Sequence, residues 1–231
     1  MSKTVPVVAP TLEEFEIAHE NVAQVAIQTP VLHSHYLSEL VGNDVFLKCE
    51  NLQRTGAYKL RGAFNRMSKL SAAERKMGVV AASAGNHAQG VALAAKKLGI
   101  KATIFMPVGA SLPKFQATQN YGAEVVLEGA VFAETLKAAQ AYSAQKGAIF
   151  IPPYDNIDVV TGQGTVGLEI LDQVPDVQTI LVSIGGGGLA AGVAVAAKLK
   201  AAQQGRKINV IGVQSQNAAS YVPSLKAGKE I

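Results

Sequence analysis

The chain has 231 residues, is 48% hydrophobic and 16% charged, and carries a formal net charge of +4. This composition suffices for a large core and excludes a disordered chain. The basic residues are scattered, with Lys96, Lys97 and Lys101 the densest group, so no basic stripe points to nucleic acid. Cys49 is the only cysteine, which excludes an intrachain disulfide and a cysteine-rich metal site. MSKTVPVVAPTLEEF lacks an apolar run of signal-peptide length, and GLAAGVAVAA is too short to span a bilayer. The expectation is a soluble, cytoplasmic protein with neither nucleic acid nor membrane as partner.

Along the chain, Thr11 and Glu14 predict a capping box before the amphipathic helix LEEFEIAHENVAQVA, and Thr29-Pro30 ends that region. DVFLKCE (44–50) predicts a strand. LQRTGAYKLRGAF (52–64) closes a loop onto a helix that runs from Lys59 to about Lys69. From there the pattern alternates. The predicted strands are GVVAAS, KATIFMP, AEVVLEG, AIFIPP, TILVSI and INVIGVQ. The predicted helices between them are NHAQGVALAAKKLG, SLPKFQATQNYG, VFAETLKAAQAYSAQKG, TVGLEILDQV and LAAGVAVAAKLKAAQQG. A short helical stretch follows the last strand. Short Val/Ile/Ala strands alternating with longer helices mean an α/β fold, with parallel sheets covered on both faces. The loop 151–156, with its Pro-Pro pair, is a candidate junction between two lobes. Ligands in such folds bind where loops follow strands.

Three such loops hold candidates. SAGNHAQG (83–90) reads either as ordinary helix capping by Ser83 or Asn86, or as an anion cradle of free N–H groups, a hydroxyl and an amide. SIGGGGLAAG (183–192) has four consecutive glycines between a strand and a helix. A tight turn needs one or two, whereas four let backbone N–H groups close around a phosphate. A nucleoside triphosphate loop would need Gly-Lys-Ser/Thr, but Val193 follows Gly192. A dinucleotide fingerprint can be forced on Gly185, Gly187 and Ala190. It requires an acidic residue on the next strand, yet no Asp or Glu lies between Asp176 and Glu230, so NAD is the weak alternative. The third candidate is Lys59. At the first turn of a helix the macrodipole disfavours an ammonium, and Arg61 adds another cation two residues on. Lys59 is either a solvated surface lysine or a nucleophilic amine kept neutral by its surroundings. A phosphate cradle together with a lysine amine suggests pyridoxal 5′-phosphate.

ENLQRTGAYKLRGAFNRM, SAGNHAQGVALAA, IPPYDNIDVVTGQGTVGLEI and SIGGGGLAAG occur in the order and spacing of the pyridoxal phosphate (PLP)-dependent serine/threonine dehydratases. The chain resembles that family, and the threonine ammonia-lyases most closely, from about Thr29 onward. The resemblance implies the two-lobed fold of the tryptophan synthase β-like type. Residues 1–52 with 150–231 would form a larger, incomplete phosphate-holding lobe, and 53–149 a smaller lobe with the substrate loop. It further implies that Lys59 carries the Schiff base, that Asn86 meets the cofactor's 3′-hydroxyl and that Gly185, Gly186, Gly187 and Gly188 hold its phosphate. Ser83, Ala84, Gly85, Asn86 and His87 would bind the substrate carboxylate.

The implied reaction is elimination of L-threonine or L-serine to a 2-oxo acid and ammonia. Threonine-versus-serine preference, a biosynthetic or catabolic role, and regulation stay open. The family implies a homo-oligomer at full length.

Some positions depart from the family. Ala57 and Tyr58 stand where Ser and Phe are usual. Ala84 stands where serine racemases of the family have a second serine. Gln214 and Ser220 align with carboxylates that hold a divalent cation in racemase-like members, so no metal is expected. His33 and His35 could share one face as metal ligands, but no third ligand is evident and a surface or packing role is expected. Glu169 reads as structural. Members of the family continue past this point with further βα units, one of whose loops meets the pyridine nitrogen. The expectation is therefore a fragment of a longer enzyme, with uncovered apolar helix faces and an open sheet edge, and with doubtful activity alone.

Overall fold

The computed structural model describes residues 8–229. Residues 1–7, part of the segment read above for a leader, and residues 230–231 lie outside the described residues. Thr11 caps α1 (Leu12–Ala23) through the expected reciprocal pair of bonds with Glu14. β1 (Val31–His33) and β2 (Phe46–Lys48) then form an antiparallel ribbon around α2 (His35–Val41), which the sequence reading did not anticipate. Ser34 starts α2 by accepting the Leu37 N–H. His33 bonds Asp44 at 3.1 Å and Ser38 at 3.2 Å, and His35 opens α2. Among the described residues no three metal-ligating side chains gather.

After α3 (Lys59–Ser68), a second unanticipated helix, α4 (Ala72–Met77), is set by a Ser71–Glu74 capping box. β3 (Val79–Ala82), β4 (Ala102–Met106), β5 (Glu124–Leu127) and β6 (Ile149–Phe150) form a parallel sheet in the order β5-β4-β3-β6. Every residue of β3 and β4 is buried, as the apolar runs predict. The helices between these strands are α5 (Asn86–Leu98), α6 (Leu112–Asn120) and α7 (Phe132–Lys146). A second parallel pair, β7 (Thr179–Ser183) and β8 (Asn209–Val213), alternates with α8 (Ile157–Gln173), α9 (Gly188–Gln203) and α10 (Tyr221–Ala227). Among the described residues no helix is long and apolar enough to cross a membrane.

Helix α8 begins at Ile157, eight residues before the predicted start, because the Asn156 side chain caps it by accepting from Asp158 and Val159. The glycines of DVVTGQG suggested a loop. They are instead contact points inside a helix. A Cβ on Gly162 would lie 2.7 Å from the Arg61 carbonyl oxygen, and one on Gly164 would lie 2.7 Å from the Gly192 carbonyl oxygen while striking Phe15. Their absence lets α3, α1 and α9 approach the α8 backbone.

One polar cluster sits inside this packing. Arg61, wholly buried on α3, uses all five guanidinium donors. Nη1 donates to Glu169 (2.6 Å) and Thr165, Nη2 to Glu50 (2.7 Å) and Glu169, and Nε to Glu50 (2.9 Å). The Lys48 ammonium donates to Glu169 (2.5 Å), Gln173 (2.7 Å) and the Thr29 carbonyl (2.8 Å). Two cations and two carboxylates thus balance. Burial works against the charges of Arg61 and Glu169, but their partners more than offset it, so Arg61 stays charged and the Glu169 carboxyl titrates below the ordinary range. The structural reading of Glu169 is realised as an ion pair.

The β7–β8 sheet is covered on one face only. Ile180 and Val182 are buried with residues of α8 and α9, while Leu181, its register partner Ile211, and Val213 are exposed on the other face. Val222 and Leu225 of α10 are exposed as well. Uncovered apolar surface is therefore found on the last helix, as expected from the sequence, and also on a sheet face.

Replacing Glu169 with alanine should leave Arg61 and Lys48 buried without their shared carboxylate, at a cost of about 3–5 kcal/mol. Urea unfolding of the Glu169→Ala variant measures this, and a loss below about 1 kcal/mol would show that water reaches the cluster.

Candidate active site

Lys59 is the first residue of α3, at the positive end of the helix, with Tyr58 as N-cap and no side-chain capping bond. Its amine is half-buried and donates to the Pro153 carbonyl at 2.6 Å. Burial lowers its pKa by disfavouring the ammonium. The sequence reading counted Arg61 as a further positive charge acting on Lys59. That is corrected here: residues two apart on a helix point in nearly opposite directions, and Arg61 is neutralised by Glu50 and Glu169 on the far side. Desolvation, not a neighbouring cation, depresses Lys59. Tyr58, a departure with no assigned role, has its ring centre 5.3 Å from Nζ, and burial raises its own pKa.

The Pro153 contact links Lys59 to the glycine loop. Tyr154, the next residue, packs directly on it. A Cβ on Gly186 would strike the Tyr154 ring, and one on Gly188 would lie 2.9 Å from the Tyr154 carbonyl oxygen. Gly187, the N-cap of α9, has φ +88° and offers no capping side chain, so the first N–H groups of α9 are left for an outside acceptor. Gly185 borders open space. A cleft of about 270 Å³ extends from Tyr58, beside Lys59, to Ser183 and Leu189, which flank the glycines.

The loop after β3 also departs from simple capping. The Ser83 hydroxyl accepts from the Gly85 N–H at 3.1 Å, and Gly85, the N-cap of α5, contributes no side-chain bond. Neither Ser83 nor Asn86 caps the helix, which leaves the N–H groups of its first turn without a side-chain acceptor. Asn86 is exposed and makes no side-chain hydrogen bond, whereas Ala84 presents only a methyl group. His87 behaves differently from its neighbours. Its ring is buried and its Nε2 donates to the Ile151 carbonyl at 2.9 Å; burial holds its pKa down at about 4, so it is neutral at physiological pH. Its imidazole belongs to the core, and only its backbone N–H can serve the loop.

Three contributors escaped the sequence reading. Pro153 acts through a carbonyl, which no residue type announces. Tyr154 acts by packing. Lys114, on α6, has its ammonium 3.5 Å from where a Gly85 Cβ would stand, so it brings a cation to the loop after β3 from a distant segment. No local pattern would have found it.

A lysine-bound PLP needs a desolvated amine and a phosphate seat within one molecule's reach. The residues present fit that group: two consecutive residues join the amine to a glycine loop whose helix start has no capping side chain and which borders open space at Gly185.

Comparison with known proteins agrees. An L-threonine ammonia-lyase of Thermotoga maritima is 48% identical over 219 residues, covering 95% of this chain and 54% of that protein. The catabolic L-threonine dehydratase TdcB of Escherichia coli K12 is 48% identical over 212 residues, covering 92% and 63%. The structure matches the processed form of threonine deaminase isoform 2 from Solanum lycopersicum with a TM-score of 0.89 at 39% identity, over 100% of this chain and 66% of that one. It matches maize serine racemase with a TM-score of 0.91 at 37% identity, over 97% and 67%. The chain thus spans little more than half to about two thirds of the length of these proteins. Residues 22–231 match the profile named pyridoxal-phosphate dependent enzyme, and the chain belongs to that family.

Proposed function

We propose that this chain carries the cofactor and substrate sites of a threonine ammonia-lyase, which converts L-threonine to 2-oxobutanoate and L-serine to pyruvate, with release of ammonia. The observation that carries this reading is the meeting, through Pro153 and Tyr154, of a buried lysine amine with a four-glycine helix start. The names of the two enzymes at 48% identity support the substrate class. In this reading residues 1–52 and 150–231 form the larger lobe and residues 53–149 the smaller one.

When bound, PLP supplies an aldehyde for Lys59 and an electron-accepting ring that acidifies the Cα–H of an attached amino acid. The N–H groups at Gly185–Gly188 would hold its phosphate, and Asn86 would meet its ring hydroxyl. The substrate carboxylate lies against the N–H groups of the Ser83–His87 loop, with the Ser83 hydroxyl beside it. Lys59, its amine free, would take the Cα proton of the substrate. Burial suits it to this, because it keeps a larger share of the amine neutral than on an exposed lysine. Loss of the β-hydroxyl as water and hydrolysis of the released enamine give the 2-oxo acid and ammonia.

A second reading, that the chain alone binds cofactor without turning substrate over, is favoured by the bare apolar face of β7–β8 beside the glycine loop. One experiment separates the two. Purified protein is mixed with PLP, its violet absorbance is recorded, and 2-oxo acid is assayed after adding L-threonine. Sustained turnover by a monodisperse sample supports the first reading, and a stable absorbance with no product supports the second.

Lys59→Ala should abolish both the violet absorbance and turnover, and normal 2-oxo acid production by that variant would remove Lys59 from the mechanism. Gly187→Asp should weaken PLP binding at least about tenfold in a spectral titration, since it forces a side chain onto a positive-φ position crowded by Tyr221 and adds a negative charge to the loop proposed to hold the phosphate. Any active form should make D-serine from L-serine at no more than a few per cent of the rate of pyruvate formation. Ala84 has no proton to deliver from the second face, and chiral chromatography of the reaction mixture checks this.

A further inference from the structure

The stretch 151–155 leaves β6 and runs to the cap of α8. Its last sheet contact is the Ile151 N–H on the Val80 carbonyl, at 2.9 Å. Pro152 and Pro153 follow, and neither has an N–H to donate. The stretch is therefore held largely by what other elements donate to its carbonyls. Among the described residues two side chains from elsewhere do so. His87 of α5 donates to Ile151 at 2.9 Å, and Lys59 of α3 donates to Pro153 at 2.6 Å.

His87 and Gly90 lie three apart on α5 and share a face. A Cβ on Gly90 would stand 3.0 Å from the Leu60 nitrogen and from the Lys59 carbonyl carbon, so α5 packs on the first turn of α3. Helix α5 thus acts on Lys59 twice. Gly90 bears on its backbone, and His87 bears on the stretch that receives its amine. A carbonyl only accepts, which fixes the buried ring as the tautomer with its proton on Nε2. A histidine that merely filled the core would need no particular acceptor. This one bonds the residue at which the sheet contact ends, two residues before the carbonyl that takes the lysine.

We propose that the His87 side chain is a positioning residue for Lys59. By holding the Ile151 carbonyl it fixes the stretch 151–153, and the Pro153 carbonyl then aims the free amine. The proposal rests on the reading of Lys59 as the reactive amine. It assigns the imidazole no contact with substrate or cofactor.

Two variants that differ in reach supply the test. The carboxamide nitrogen of glutamine is as many bonds from Cα as Nε2 of histidine, and that of asparagine is one bond nearer. His87→Gln keeps a donor within reach of Ile151, and His87→Asn falls short. The 231-residue chain and both variants are mixed with pyridoxal, which has the aldehyde but lacks the phosphate and so reads the amine apart from the glycine loop. Amine and aldehyde condense with loss of water, borohydride reduces the C=N bond, and the labelled Lys59 peptide is quantified by mass against that of the exposed Lys146. Labelling is run well below the lowest of the three melting temperatures, and amide hydrogen exchange of residues 149–157 is followed on the unlabelled proteins. In His87→Asn, Lys59 labelling relative to Lys146 should fall about tenfold, the scale of one lost hydrogen bond, and exchange in 149–157 should quicken. In His87→Gln both should stay within about twofold of the unaltered chain. Equal labelling in all three proteins would overturn the proposal. So would an equal loss in both variants, or a loss in His87→Asn without faster exchange in the segment. If Lys59 of the unaltered chain is labelled no more than Lys146, the reading of Lys59 as the reactive amine fails and the proposal falls with it.

Discussion

The interior of this protein is organised around a buried ion cluster. Arg61 cannot shed its charge, so once α3 is inside the molecule it must be met by carboxylates. Glu50 comes from the turn after β2, and Glu169 comes from α8. Lys48 shares Glu169 and also ties down the Thr29 carbonyl and Gln173. Every donor of both cations has an acceptor, which distinguishes a cluster that fixes geometry from one that merely tolerates burial. The cluster sets where α3 lies against α8. Lys59, two residues before Arg61, is turned the opposite way, toward Pro153. The lysine's position is in this sense a consequence of the arginine's.

The helices can crowd around that cluster because α8 is built from small residues where it is crossed. Gly162 faces Arg61 and Gly62 of α3, and Gly164 faces α1 and Gly192 of α9. Glycine inside a helix costs stability through backbone entropy, roughly 1 kcal/mol relative to alanine. Here close backbone approach offsets that cost. The loops that bracket the candidate site begin or end on these tightly packed elements. The site is thereby held by rigid neighbours, although its own contacts are largely backbone groups and loop residues.

Its chemistry follows from neutral groups more than from charges. The glycine loop and the loop after β3 both present helix starts without capping side chains, so each offers N–H groups to an anion. Lys59 is depressed by burial, and His87 is kept neutral by complete burial and bonded to the Ile151 carbonyl. The stretch 151–154 serves both, since the carbonyls of Ile151 and Pro153 accept from His87 and Lys59 while Tyr154 packs on the glycines. The Pro-Pro pair had read as a junction. It is also the piece that joins the amine to the glycine loop.

The sequence by itself determined the alternation of strands and helices, the capping box at Thr11 and the glycine loop, and it singled out Lys59 as a candidate. Each of these is written in contiguous residues, by hydrophobic period, cap chemistry or four glycines in a row. The same local reading placed the start of α8 eight residues late, since a glycine that makes room for a neighbouring helix looks identical to one that breaks a helix. It missed α2 although Ser34 caps it, and it credited Arg61 with a field on Lys59 that Glu50 and Glu169 cancel. Only the tertiary structure decided the packing of α8 and the cancelled field of Arg61, together with the contacts of Pro153, Tyr154 and Lys114. For Pro153, Tyr154 and Lys114 the partner lies tens of residues away in the chain, and the effect is exerted by proximity and desolvation, which residue identity alone does not encode.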